Sequence, residues 1–323
     1  MNKRTISKLI TVLVLGLFAW YFKNNREEFA ALGHIRPIYL LIVLLGVILM
    51  IFTNALIIKW IMEPFDKYIS LSESMYVSVM SSAGNFFLPV GSGTGFRAVY
   101  LSKVHKLNYK NFFSTLYGNY VIVFLIGSLF GVSGLVALKG WEASSGRLLL
   151  IVFSGLASGS AYAALVSPPK VLLNVLRTKL GRLGRIAAEV FDGWAFITSH
   201  RMLLAKMIAA VFLNLTAAMM ISYASLAAVG VHVSFWVIVV HSSLGVLTLL
   251  INITPGSIGI KEGMYIFSSS TLRLTTPQIL SAVVIDRSTR FIVLFVSWLF
   301  IKWQKIDQKQ FASIEPPVQA TKE

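Results

Sequence analysis

The chain has 323 residues, of which 56% are hydrophobic and only 13% charged, with a mean hydropathy of +0.75; this excludes an ordinary soluble domain and describes a polytopic membrane protein. The absence of cysteine excludes disulfides, thiolate metal sites and cysteine catalysis. The formal charge of +16 is carried by basic residues at the ends of apolar runs, so it points to anionic lipid headgroups and not to nucleic acid.

The first apolar run, Leu9–Phe22, is short. Lys3, Arg4 and Lys8 precede it as they would in a signal peptide, but Ala19 to Lys23 offers no small-x-small cleavage site, so it is expected to stay as a helix. Ile38–Ile61 follows, and later come Thr115–Leu138, Leu148–Val166, Leu203–Val229 and Ile279–Ile301. These mostly meet the roughly 20 residues a helix needs to cross hydrocarbon. The expected fold class is all-α: a membrane helical bundle of about six full spans.

Two further apolar stretches are interrupted, and one pattern is written in both. Leu71–Leu101 contains Asn85-Phe-Phe-Leu-Pro89-Val-Gly91-Ser-Gly93-Thr-Gly95-Phe-Arg97. Val233–Thr271 contains Asn252-Ile-Thr-Pro255-Gly256-Ser-Ile-Gly259-Ile-Lys261-Glu262. Proline removes a backbone donor and disfavours helix before it, while glycine permits positive φ, so each pattern breaks a helix. Such a break is tolerated at membrane depth only where the backbone is buried in protein or lines a polar cavity. The arms are also too polar to span alone: Ser72, Glu73, Ser74, Ser78, Ser81, Ser82 and Asn85 fill the first, and His241, Ser242, Ser243, Thr248 and Asn252 the second. Both stretches are expected to be re-entrant hairpins.

With both hairpins re-entrant, the positive-inside rule is obeyed. Of the 29 Lys and Arg residues, only Lys23, Arg26, Arg36, Lys139, Arg147 and Arg273 fall outside; Arg97, Lys261, Arg287 and Arg290 lie at membrane depth, and the rest are cytoplasmic. The expected location is the cell inner (cytoplasmic) membrane, with both termini cytoplasmic. Residues 1–303 then form one transmembrane domain, in which about 38–138 and about 203–301 are repeats of the same order entering from opposite sides. Inverted repeats with discontinuous helices are the architecture of alternating-access transporters. Between them, about 168–186 places leucines on one helical face and Lys170, Arg177, Arg182 and Arg185 on the other, an interfacial helix on the cytoplasmic leaflet. Residues 304–323 lose their apolar content and are expected to form a flexible cytoplasmic tail.

A helix restarting after each break aims free N–H groups and a positive dipole end into the membrane interior, which outlines an anion site. Arg97 can grip a phosphate through two parallel hydrogen bonds. Lys261 and Glu262 follow the second break, and the last span adds Asp286, Arg287 and Arg290. An ionisable group within a span costs roughly 2.5–3.5 kcal/mol and is a functional candidate by default. The alternative is internal neutralisation, with Glu262 on Arg287 or Arg97 and Asp286 on Arg290. The candidate substrate-binding set is therefore Asn85, Pro89, Gly91, Gly93, Gly95, Arg97, Asn252, Pro255, Gly256, Gly259, Lys261, Glu262, Asp286, Arg287 and Arg290. No metal ligands or cofactors are expected. The five histidines are scattered, and a lone His241 is more often a packed, hydrogen-bonded residue than a ligand.

In these residues the chain resembles the flippase-like membrane family that includes the transmembrane half of lysylphosphatidylglycerol synthase, the multiple peptide resistance factor. The resemblance rests on the Leu-Pro-x-Gly stretch leading to Arg97, the Pro-Gly-x-x-Gly-x-x-Glu stretch at Pro255–Glu262 and Arg287 in the final span. It implies movement of a phospholipid, aminoacylated or otherwise modified, or of a polyprenyl-linked lipid, between leaflets. First-copy members often carry an acidic residue just before the arginine; here Thr94-Gly95-Phe96 stands there, so the headgroup preference does not carry over. Aminoacyl transfer in the two-part synthases belongs to a soluble domain that this chain is not expected to have. The expected function is a lipid flippase, with a membrane-embedded transferase using a lipid-phosphate donor, or a lipid-binding scaffold for a synthase, as alternatives. The implied partners are membrane lipids with anionic or modified headgroups, with a lipid-modifying enzyme and a second copy of the chain as further options.

Overall fold

The structure, a computed structural model, describes residues 35–88, 91–166, 181–251 and 254–303. The expected span Leu9–Phe22, residues 168–180 of the expected interfacial helix, the tail after residue 303, and the site residues Pro89 and Asn252 lie outside the described residues.

Every regular element among the described residues is helical. In chain order they are α1 (Pro37–Trp60), α2 (Leu71–Phe87), α3 (Ser92–His105), α4 (Tyr109–Ala137), α5 (Ser144–Leu165), α6 (Gly181–Ser199), α7 (Arg201–Ala228), α8 (Phe235–Thr248), α9 (Ile260–Phe267), α10 (Ser269–Leu272) and α11 (Thr276–Trp303). Four segments are long and apolar enough to cross a membrane: Pro37–Phe65, Tyr109–Ala137, Ser144–Leu165 and Arg201–Ala228. The last helix, α11, has 28 residues but carries Asp286, Arg287 and Arg290 in its middle. Its other face is bare hydrocarbon, with Phe291, Ile292, Phe295, Val296 and Leu299 exposed. Ile38, Leu41, Leu45 and Ile48 on α1 and Leu148 and Ile151 on α5 are exposed in the same way. No soluble monomer displays so much contiguous apolar surface. The molecule is a multi-pass membrane protein.

α1 and α7 pack along each other at the centre, and α11 joins both. Their shared core is Val43, Val47 and Ile51 of α1, Ile221, Ala224 and Ala228 of α7, and Ile285, Val293 and Leu294 of α11. A second core encloses α2 and α3 with the adjoining ends of their neighbours, through Ile58, Met62, Leu101, Phe112, Ile197 and Met207. A third surrounds α8 and α9, through Leu135, Phe153, Leu244, Tyr265 and Ile279.

Each interrupted stretch folds into two arms that touch. α2 is started by Ser70, whose hydroxyl accepts from the Glu73 N–H at 3.1 Å, and it stops at Leu88. α3 lies back against it so closely that a Cβ on Gly84 would fall 2.9 Å from the Gly93 Cα. α8 ends at Thr248, a short 3-10 turn runs from Pro255 to Ser257, and α9 begins at Ile260 and packs on α8. α2 also touches that turn, so the two breaks meet.

The helix α6 runs on to Ser199, beyond the expected end of the interfacial helix, because it docks into the bundle. A Cβ on Gly193 would overlap the Ser114 carbonyl of α4, and Trp194 Nε1 donates to the Ala164 carbonyl at 2.9 Å. Close backbone approach through small residues is how membrane helices associate. Gly193→Ala forces α4 and α6 apart, and overpacking of this kind costs roughly 1–3 kcal/mol. It is expected to lower the thermal midpoint of the detergent-solubilised protein, whereas Gly155→Ala, whose Cβ meets nothing within 4 Å, is expected to leave it unchanged or raise it.

Candidate functional site

Two adjoining cavities lie where the breaks meet, of about 350 and 370 Å³. Met50, Ser82, Asn85, Ala218, Ser242, Gly245 and Leu249 line both, so the two share a wall. Ser82 and Asn85 of the first hairpin and His241, Ser242 and Thr248 of the second face this space.

The first cavity belongs to Arg97. The side chain projects from the first turns of α3 into a lining that includes Asn54 of α1, Asn119 and Tyr120 of α4, and Asn214 of α7. No carboxylate faces it, and Arg97 Nε has no hydrogen-bond partner among the described residues. A buried guanidinium of this kind is costly without an anion. The backbone that presents it is shaped by Gly91, which caps α3 with φ +66°, a left-handed conformation that favours glycine. Asn85 does not face the cavity alone: its Oδ1 accepts from the Gly93 N–H at 3.0 Å, so one of the donors expected to be free at this helix start is already used. Gly93 is required by space, since a Cβ there would overlap the Ser81 carbonyl. Gly95 lies one turn on with open space around it.

The second cavity belongs to the charges after the other break. Lys261 of α9 and Asp286, Arg287 and Arg290 of α11 line it, together with Gly256 and His241. Asp286 accepts from Lys261 Nζ at 2.5 Å and from Arg290 Nε at 2.6 Å, one carboxylate between two cations. Arg290 also rests its Nη1 and Nη2 on Met50 Sδ of α1 at 3.5 Å. Arg287 Nε donates to Glu262 Oε1 at 2.7 Å, and Nη1 donates to the Gly256 carbonyl at 3.1 Å. The other oxygen of Glu262 accepts from the Gly259 N–H at 2.8 Å. Glu262 therefore faces backbone and Arg287 and is not part of the cavity lining. Gly256 and Gly259 both take positive φ, +56° and +83°, in the turn that Pro255 opens.

His241 is a packed residue. Its Nδ1 lies 3.0 Å from the Ser222 hydroxyl, and the ring stacks on Tyr265 with centroids 4.1 Å apart.

Two features were not among the expected site residues. The first is the set Asn54, Asn119 and Asn214, each standing alone within an apolar run, which is the signal that could have singled them out. The second is a cluster at the base of the first hairpin: Glu73, only 2% exposed, accepts from the Tyr100 hydroxyl at 2.9 Å and lies 2.7 Å from His105 Nε2. Residues 73 and 105 belong to opposite arms, so only the hairpin fold brings them together.

Among known proteins, no curated protein and no solved structure matches this chain. The sequence model of one family, described as the lysylphosphatidylglycerol synthase TM region, matches residues 6–297, which takes in both breaks, both cavities and nearly all of α11. The chain therefore belongs to the lysylphosphatidylglycerol synthase TM region family.

Proposed function

We propose that this protein is a lipid flippase of the cytoplasmic membrane, moving a phospholipid or polyprenyl-linked lipid between leaflets. The observation that carries the reading is the pair of adjoining polar cavities, one at each helix break, sharing one wall at the point where the breaks meet. In this reading α2–α3 and α8–α9 are re-entrant hairpins entering from opposite faces, and α1, α4, α7 and α11 are full spans. α5 is a fifth span, and the apolar run Leu9–Phe22, expected from the sequence to cross as well, lies outside the described residues. The order span, hairpin, span occurs twice, as α1, α2–α3, α4 and as α7, α8–α9, α11. The distribution of Lys and Arg supports a cytoplasmic side for both termini.

Arg97 and the amides around it hold the headgroup phosphate from one side, and the Lys261, Asp286, Arg290 cluster receives it on the other. The acyl chains stay in the bilayer. Ligand sites at discontinuous helices between two repeats suit alternating access. Family membership supports lipid movement as the activity, without naming the lipid.

Reconstitution of the full chain in proteoliposomes with an NBD-labelled phospholipid tests this. Dithionite quenching of the inner-leaflet label is expected to proceed well above the rate of protein-free vesicles. No acceleration would remove the flippase reading, and turnover of a lipid-linked donor would support a transferase in its place.

The two site variants should separate by mechanism. Arg97→Ala removes a cation that holds no ion pair among the described residues, so transport is expected to fall by about tenfold or more, as when a charged hydrogen bond of roughly 1.5–3 kcal/mol is lost, while thermal stability is kept. Glu262→Gln strands Arg287, and breaking a buried pair costs roughly 3–5 kcal/mol. With side chains 14% and 19% exposed, this pair belongs near the lower end, and both stability and transport are expected to fall. Parent transport rates in both variants would refute the site.

A further inference from the structure

Both cavities carry an excess of positive charge. Arg97, Lys261, Arg287 and Arg290 face the shared space or its edge, against only Glu262 and Asp286. Neither carboxylate is free: Glu262 is taken by Arg287 and the Gly259 N–H, and Asp286 by Lys261 and Arg290. A headgroup ammonium entering this space would meet no carboxylate that is without a cation already on it. Among the described lining residues, the buried side-chain oxygens without a partner are Asn119 Oδ1 and Ser225 Oγ. Such an ammonium would lose its water beside a net excess of two positive charges, and the one carboxylate in the lining, that of Asp286, is already shared by two cations. A phosphate has the opposite balance, because Arg97 has an unused Nε–H and no carboxylate beside it among the described residues.

We infer that the headgroup this site accepts is a net-negative phosphate ester without an ammonium group, and that an aminoacylated, cationic headgroup is excluded. The inference rests on the transport reading only for the statement that these cavities receive a headgroup. Asn54, Asn119 and Asn214 further specify it, since three amides around one arginine offer donors and acceptors to the hydroxyls of a glycerol or sugar beside the phosphate. The lipid tail can be diacylglycerol or polyprenol, because the cavities read only the head.

Native mass spectrometry of the full chain, offered equal amounts of phosphatidylglycerol, undecaprenyl phosphate and lysyl-phosphatidylglycerol, tests the inference. At least one of the two anionic lipids is expected to be retained about tenfold over lysyl-phosphatidylglycerol, the ratio that one uncompensated charge contact of about 1.4 kcal/mol gives. The better retained of the two identifies the tail. The preference is expected to collapse in Arg97→Gln and to persist in Lys103→Gln, which removes an exposed cation outside both cavities. Equal retention of the cationic lipid would overturn the inference, and so would a preference that Arg97→Gln leaves intact, since that would belong to the basic surface.

The same three lipids, acyl-labelled, in the dithionite assay separate the two claims. Lysyl-phosphatidylglycerol crossing as fast as phosphatidylglycerol would sink the charge inference and leave transport standing. Selective retention without any crossing would do the reverse.

Discussion

The structure turns on one ion pair. Arg287 and Glu262 together satisfy the backbone of the second break: the guanidinium donates to the Gly256 carbonyl, and the carboxylate accepts from the Gly259 N–H. Without that clasp, a turn with positive φ at Gly256, Ser257 and Gly259 would lose the partners of the Gly256 carbonyl and the Gly259 N–H. A Cβ on Gly256 would fall 3.1 Å from the Phe86 carbonyl, so the clasped turn is also what the end of α2 rests against. The meeting of the two breaks, and hence the shared wall of the cavities, follows from how this turn is held.

The first break is held by neutral groups. Asn85 accepts from Gly93, and Gly84 and Gly93 let the arms cross in contact. Because an amide does the capping, Arg97 is not drawn into holding backbone and keeps its guanidinium for the cavity. In the second break the corresponding work consumes Glu262 and Arg287, and Asp286 neutralises part of what remains. The copies are alike in shape and unlike in charge. Among the described residues, one presents Arg97 amid amides with no carboxylate beside it, and the other a carboxylate held between two cations.

The helices and both breaks were legible in the sequence, because apolar length, polar arms and the Pro/Gly punctuation are local signals. The boundaries of α1 and α7 fall within a residue or two of the apolar runs. α6 was harder to read, since its length depends on docking against α4 through Gly118 and Gly193, a contact 75 residues apart in sequence. The site was legible as a list of charges and not as a pairing scheme. Helical spacing exposed the Asp286–Arg290 pair, but Lys261 on the same carboxylate comes from another helix. The two outcomes open to Glu262, pairing with Arg287 or with Arg97, differ only in how the breaks sit in space. The Glu73, Tyr100 and His105 cluster was invisible for the same reason.

The ionic contacts also fix which parts of the molecule can separate. α9 is bound to α11 at two successive positions, Lys261 to Asp286 and Glu262 to Arg287. Opening a gap between these helices would strand four charges in a low-dielectric interior, a larger penalty than any single packing contact could offset. The first hairpin meets its neighbouring span through a neutral bond, Ser78 Oγ donating to the Ile51 carbonyl at 2.7 Å, and its own charged cluster joins one arm to the other instead of to a span. The second hairpin and the last span are therefore constrained to act as one body. The weaker seam, where a headgroup-sized passage costs least, lies along the first hairpin beside Arg97.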